Sequence, residues 1–367
     1  MNKKVSFPYL GHVIVYKKFL QMMGFEVIMP PIPTQRTIDL GVKYSPEFAC
    51  IPFKMLMGNY IEACELGANV IISSGGHGPC RAGFYGEVHQ RILKQMGFDV
   101  EFIIFDSPKR DLFGTIKKFF KIKNKQTITK LVKVSKIVFP VLKDLDTFEK
   151  KIHTMIPYEI NKGESLKVWR EIYKIYDEVY SKEELIQARK ESKKMIENIK
   201  LKKVDEKERI RIGIVGEIFV VIEPSINMDI ENLLCSLGCE AERSLYLSEW
   251  VEHNVFGEKH EKVIQDLGEK YIEILIGGHA KTTVGNIVDF RKRGFDGIIH
   301  LMPFGCLPEL VSQSVIPKIT SDHDIPVLTL SIDEQTGKSN NLTRIEAFVD
   351  LIKNKKSKES VLNGGKK

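Results

Sequence analysis

The chain is predicted to be an α/β protein: two Rossmann-like parallel-sheet domains facing each other, joined by a helical segment. Three observations predict this. At both ends of the chain, short apolar runs alternate with helix-like segments that stop on glycine, the pattern of strand–helix units in a parallel sheet. Between them, residues 109–205 are lysine-rich and carry only two glycines, Gly114 and Gly163. The outer parts also rhyme: each has a buried-looking strand, a Gly/Pro loop with a cysteine, and then a helix. The expected division is 1–108, a first α/β domain with Cys50 and Cys80; 109–205, a helical connection; and 206–367, a second α/β domain with Cys306.

In order, Lys4–Phe7 reads as a strand, and a helix over 13–23 stops at Gly24. Phe25–Ile28 is the next strand, followed by a loop with Pro30, Pro31 and Pro33. A helix over 52–66 ends at Gly67, placed as a C′ residue would be. Strand Val70–Ser73 leads through the loop Gly75–Gly78 to Cys80. A helix over 85–96 then ends at Gly97, and Val100–Phe105 is a strand. In the middle segment, Ser181-Lys182-Glu183-Glu184 has the capping-box form and opens a helix to about residue 200. The second half opens on strand Arg209–Val215. A helix over 229–237 stops at Gly238, with Cys239 beginning a strand. Further strands are expected at Ile272–Ile276, Gly297–Leu301 and Val327–Ile332, with helices over 308–316 and 342–352.

At 367 residues, 43% apolar and 28% charged, the chain has the composition of a soluble globular protein of two or three domains. No run approaches the ~20 apolar residues of a membrane span. The start, Met1-Asn2-Lys3-Lys4, lacks the apolar core of a signal peptide. A cytoplasmic location is expected, where thiols stay reduced. The net charge of +7 concentrates on helix-patterned lysines with few interleaved aromatics. That is a solvated helix face, so no nucleic-acid partner is expected.

Cysteine placement carries the functional signal. Cys50, Cys80 and Cys306 each lie beside a proline in a loop that opens a helix, in the contexts SPEFACIPFK, GGHGPCRAG and MPFGCLPE. Two of these loops follow strands, and loops at the carboxyl ends of strands form the ligand crevice of open α/β sheets. Three thiolates converging there would suit an iron–sulfur cluster. A helix N-terminus favours the thiolate. A four-iron cluster on three cysteines keeps one iron without a thiolate, for which His77 and Glu309 lie near in sequence. Cys64, Cys235 and Cys239 read as small buried residues, the last two diverging across the helix stop at Gly238. No C-x2-C occurs, against a zinc ribbon or ferredoxin run. Glu217, Glu223 and Asp229 could do acid–base work at a crevice, with Asp229 also placed to cap its helix. The Gly75–Gly78 loop fits neither the dinucleotide nor the Walker pattern, so an ATP-dependent step needs a separate protein.

The strings IPFKMLMGNYIEA, GGHGPCRAGFYGE, GEIFVVIEPSINMDIE, GFDGIIHLMPFGCLPE and DIPVLTLSIDEQTG resemble the 2-hydroxyacyl-CoA dehydratase D-component family. The nearest likeness is to its short branch, related to acyl-CoA dehydratase activase-associated proteins, and it spans nearly the whole chain, weakest over 109–205. The resemblance implies a [4Fe–4S] cluster held by Cys50, Cys80 and Cys306. It also implies an ATP-dependent iron–sulfur activator protein as partner, an acyl-CoA substrate and a dimer. In such enzymes one low-potential electron makes a ketyl radical on the acyl-CoA, so that the 2-hydroxyl can leave. A related branch holds a double-cubane [8Fe–9S] cluster and reduces small molecules, and six cysteines is the number two linked cubanes need. Against a full dehydratase, only one chain is seen and no CoA-binding residues can be matched. A non-catalytic electron-transfer or cluster-carrying module, or a cluster-free anion-binding protein, would carry the same fold.

Overall fold

The structure, a computed structural model, describes residues 3–75, 80–105, 114, 117, 128–257 and 260–364. Two four-stranded sheets organise it. The first has β1 (Lys4–Ser6), β2 (Glu26–Val27), β3 (Val70–Ser74) and β4 (Glu101–Phe105), in the order β2-β1-β3-β4. The second has β5 (Ile210–Gly216), β6 (Cys239–Arg243), β7 (Gly297–Pro303) and β8 (Val327–Ile332), in the order β6-β5-β7-β8. Every pairing is parallel, so the strand order of one half is that of the other. Parallel neighbours need crossover connections, and here helices supply them. All seven residues of β7 are buried, as expected of a strand covered on both faces.

The principal helices are α1 (Val13–Met22), α2 (Gln35–Tyr44), α3 (Ile51–Glu65), α4 (Tyr85–Gln95), α5 (Ile128–Met155), α6 (Glu164–Asp177), α7 (Lys182–Glu197), α8 (Ile230–Ser236), α9 (His260–Gly268), α10 (Ala280–Lys292), α11 (Leu307–His323) and α12 (Lys338–Gly364). The capping box at α7 forms: Ser181 Oγ accepts from Glu184 N at 3.1 Å, and Glu184 Oε2 accepts from Ser181 N at 2.8 Å.

Helices α5, α6 and α7 bury Val141, Leu145, Ile152, Ile172, Tyr176 and Leu185 in one core with Val5, Phe7 and Leu20 of the first sheet region. That core also takes in Ile222 and Leu247 of the second half. The first turn of α3 crosses in the other direction: Ile51 and Met55 are buried in the second-half core with Ile212, Phe219, Leu301 and Leu330. The two halves therefore interlock, and the N-terminus of α3 is held where they meet.

Some local expectations fail. Residues 272–276 form no strand, since only Ile272 is buried while Ile274 and Leu275 are exposed, and the stretch connects α9 to α10. Helices α2, α9 and α10 escaped the sequence pattern. Each carries a glycine, Gly41, Gly268 and Gly285 respectively, that lets helix backbones touch. No helix among the described residues is long and apolar enough to cross a membrane.

Candidate functional site

Cys50, Cys80 and Cys306 are each the N-cap residue of a helical segment: α3, the 3-10 turn Arg81–Phe84 that leads into α4, and α11. Proline explains two of these starts. Pro52 and Pro308 sit in the first turn, where a missing N–H costs nothing. The amides of Phe53, Ala82 and Glu309 favour the thiolate form of the respective sulfurs.

The structure brings the three thiols together. Cys50 lies within electrostatic reach of Cys80 and of Cys306, and all three feel the Glu217 carboxylate. Burial raises each thiol above its usual range, so desolvation by itself favours neutral sulfur. A cationic metal group would reverse that by taking the thiolates as ligands. The three are not crowded onto a single ion. Among the described residues, only His12, Asp146 and Glu149 place three ligand atoms within 4.8 Å of one another. Three thiols, one buried and two half-buried, each at the positive end of a helical segment, fit a multi-metal cluster with net negative charge.

Tyr85 joins this group from α4, its hydroxyl against the Cys50 sulfur. Its ring packs edge-on to Phe53 at 4.9 Å. His89, one turn on, stacks on Phe53 at 4.0 Å, with Nε2 3.1 Å from the Phe53 carbonyl. Burial pushes His89 down to about 4, so this ring is a neutral packing piece that fixes the first turn of α3. Lys54, on the next position, pairs with Glu334 in the loop after β8 and ties that turn to the second half.

Glu217 stands at the end of β5. Gly216 before it has φ +140°, and a β-carbon there would fall 1.8 Å from the Leu301 carbonyl oxygen, so only glycine permits this strand exit. Glu217 Oε2 accepts from the amides of Phe219 at 3.0 Å and Val220 at 3.2 Å. Burial raises its pKa to about 7, the two amides oppose this, and Glu309 adds to it. Glu223 is buried, and Oε1 accepts from Ser225 Oγ at 2.8 Å. Asp229 occupies the N-cap of α8, but its carboxylate takes the Asn232 side-chain amide at 2.9 Å, while Asn227 Oδ1 accepts from Ile230 N.

Of the two neighbours singled out by sequence, His77 lies outside the described residues, as does most of its Gly75–Gly78 loop. Glu309 is fully buried, with Oε2 2.9 Å from His300 Nε2 and Oε1 accepting from Thr283 at 3.3 Å. Its carboxylate is thus committed to β7 and α10. His279, the N-cap of α10, was not singled out. It is half-buried, and desolvation lowers its pKa.

The remaining thiols sit in cores. Cys64 packs with Tyr60, Ile61 and Ala68. Cys235 donates to the His153 carbonyl at 3.1 Å. Contrary to the expected divergence, Cys235 and Cys239 share one core and one electrostatic neighbourhood, because α8 turns directly back into β6.

The His12–Asp146–Glu149 trio belongs to a buried charge network. His12 Nε2 is 3.1 Å from Asp146, Arg243 bridges Glu149 and Glu231, and His153 is 3.1 Å from Glu231. A guanidinium already neutralises the carboxylates, which argues for a structural clamp between α5 and the second half.

No curated protein matches the chain. The profile of the family described as 2-hydroxyglutaryl-CoA dehydratase, D-component, matches residues 91–352. That span includes Cys306 and begins after Cys50 and Cys80. It covers well over half of the chain, including all of the helical segment and the whole second sheet. The chain belongs to the 2-hydroxyglutaryl-CoA dehydratase D-component family.

Proposed function

We propose that this chain is the cluster-holding subunit of a 2-hydroxyacyl-CoA dehydratase-like enzyme. Cys50, Cys80 and Cys306 hold a [4Fe–4S] cluster between the two α/β halves, and a separate ATP-dependent iron–sulfur activator delivers the electron. The observation that carries this is the meeting of three thiols, each at a helical N-terminus and each within reach of Glu217. When bound, the cluster supplies a low-potential electron and a Lewis-acidic iron beside the substrate.

The chain's own residues give that group its setting. The N-terminal dipoles offset its negative charge. The Tyr85 hydroxyl donates to the Cys50 thiolate, and Glu217, titrating near neutrality, can hold a proton close to the leaving hydroxyl. Phe48, Phe84, Phe304 and Leu307, each within four residues of one of the cysteines, are exposed apolar side chains, suited to an activator or a second subunit. In this reading 1–108 and 206–367 are the walls of the site, 109–205 is the brace, and the working assembly is a cytoplasmic dimer.

The double-cubane [8Fe–9S] alternative needs six thiolates. Cys235 and Cys239 share one hydrophobic core and Cys64 lies in another, neither of them the core of a cysteine of the first trio, which favours the single cluster. The test is iron and acid-labile sulfide per chain on protein purified without oxygen. About four irons support the proposal. About eight move the chain to the double-cubane reading, and none after reconstitution overturns both. A cluster unaffected by any 2-hydroxyacyl-CoA would leave an electron-transfer module.

A further inference from the structure

The two halves repeat one plan beyond strand order. Between the second and third strands of each sheet region lies a helix pair whose backbones touch at glycines. In the first half a β-carbon on Gly41 would lie 1.9 Å from the Lys54 carbonyl oxygen, and one on Gly58 would lie 1.9 Å from that of Thr37. In the second half Gly268 meets the Lys281 carbonyl oxygen at 2.5 Å, and Gly285 meets that of Ile264 at 1.9 Å. Thr37, Gly41, Lys54 and Gly58 have the same spacing as Ile264, Gly268, Lys281 and Gly285. Even the lysines correspond: Lys54 and Lys281 are both buried and paired, with Glu334 and Glu269 respectively. Helix α3 is therefore the counterpart of α10, and the loop after β3 is the counterpart of that after β7.

Cys80 and Cys306 are counterparts in this repeat. Cys50, at the N-cap of α3, corresponds to the N-terminus of α10, which begins two residues later in the glycine register, and whose N-cap is His279. The loop before His279 lies on the Cys306 turn: a β-carbon on Gly278 would fall 2.7 Å from Pro308 Cγ. His279 is also an electrostatic neighbour of Glu309, which in turn reaches Cys80 and Cys306. Among the described residues, its imidazole makes no hydrogen bond or ion pair, while His12, His89, His153 and His300 each have a side-chain or carbonyl partner. Four helical N-termini thus present three thiols and, among the described residues, one imidazole without a hydrogen bond.

We propose that His279 is the fourth protein ligand, filling in the resting protein the iron position that Cys50, Cys80 and Cys306 leave without a thiolate. This rests on the cluster reading above. Neutral imidazole is a competent iron ligand, and histidine replaces cysteine at iron in other iron–sulfur centres. An imidazole is also more readily displaced than a thiolate, so a substrate oxygen could take its place.

The experiment is pulsed EPR on the reduced, anaerobically purified protein, with histidine at natural abundance and 15N-labelled. A strong nitrogen coupling that changes with the label is expected. It should disappear in His279→Ala and persist in His77→Ala, with iron per chain unchanged in both. An iron-loaded wild type with no histidine coupling overturns the assignment while leaving the cluster reading intact, and this measurement needs no variant to fold. A coupling lost in His77→Ala and kept in His279→Ala also overturns it. Absence of iron in the wild type instead overturns the reading on which it rests.

Discussion

The Arg243 guanidinium donates to the Glu231 carboxylate at 2.5 Å, with both side chains buried. The same guanidinium reaches Glu149 on α5 and lies 4.5 Å over the Tyr246 ring. One arginine thus joins β6, α8 and the long helix that braces the first half. Replacing it by methionine leaves two carboxylates without their cation in a dry interior. The expected loss is about 3–5 kcal/mol, the scale for breaking a buried pair. Denaturant midpoints of wild type and Arg243→Met measure it. A change near zero would show that the clamp contributes no net stability.

The same network sets a pH window. Burial alone lowers His12 and His153, but Glu149 and Asp146 for the first, and Glu231 for the second, outweigh it and raise both above 6.5. Their contribution is present below 6.5 and is lost as pH rises through the raised values. Burial alone raises Asp146 and Glu231, but His12 for the first, and Arg243 with His153 for the second, bring both down, Glu231 to about 2. Their contribution is present above the ordinary values of 3.8 and 4.5 and is lost as pH falls through the lowered ones. Network stability should therefore peak between pH 4.5 and 6.5. Unfolding midpoints across pH 3–9, for wild type and His12→Gln, test this; the alkaline decline should be shallower in the variant.

Gly58→Ala should push α3 away from α2, because the new methyl meets the Thr37 carbonyl oxygen at 1.9 Å. A cost of about 1–3 kcal/mol is expected from the forced backbone shift. Since α3 carries Cys50, iron loading should fall along with the denaturation midpoint. Full loading together with a lowered midpoint would separate the helix crossing from the site.

Cys50→Ser, Cys80→Ser and Cys306→Ser should each lose most of the bound iron. Cys64→Ala, Cys235→Ala and Cys239→Ala should keep it, at a modest cost in stability from lost packing. Iron per folded chain after anaerobic reconstitution is the measurement. Retention of iron in all three of the first group would remove these cysteines from the site.

Tyr85→Phe removes a donor to the Cys50 sulfur while keeping the ring that packs on Phe53. A thiolate that loses a hydrogen bond is more electron-rich, so the reduction potential should become more negative at unchanged iron content. An EPR-monitored redox titration reads the shift directly.

Much of the architecture was legible because its signals are local. Glycine stops, apolar runs and the Ser181 capping box are written within a few residues, and they predicted six of the eight strands closely and α7 at its start. The N-terminal helix positions of Cys50, Cys80 and Cys306 are local as well, since proline in the first turn marks two of them. Helices α2, α9 and α10 were missed; they pack on a partner helix through Gly41, Gly268 and Gly285, contacts that no short stretch of sequence encodes.

What the sequence by itself determined was the alternation of elements, the cysteine-bearing loops and the family likeness. Only tertiary structure decided which of these meet. Ile51 and Met55 anchor the start of α3 in the opposite half, and that long-range burial carries Cys50 toward Cys306. Likewise, the pairing of His12 with Asp146, and of Arg243 with Glu149, joins residues far apart in the chain. Helix starts follow from the chemistry of adjacent residues, whereas these meetings depend on the packing of whole cores, which no short stretch encodes.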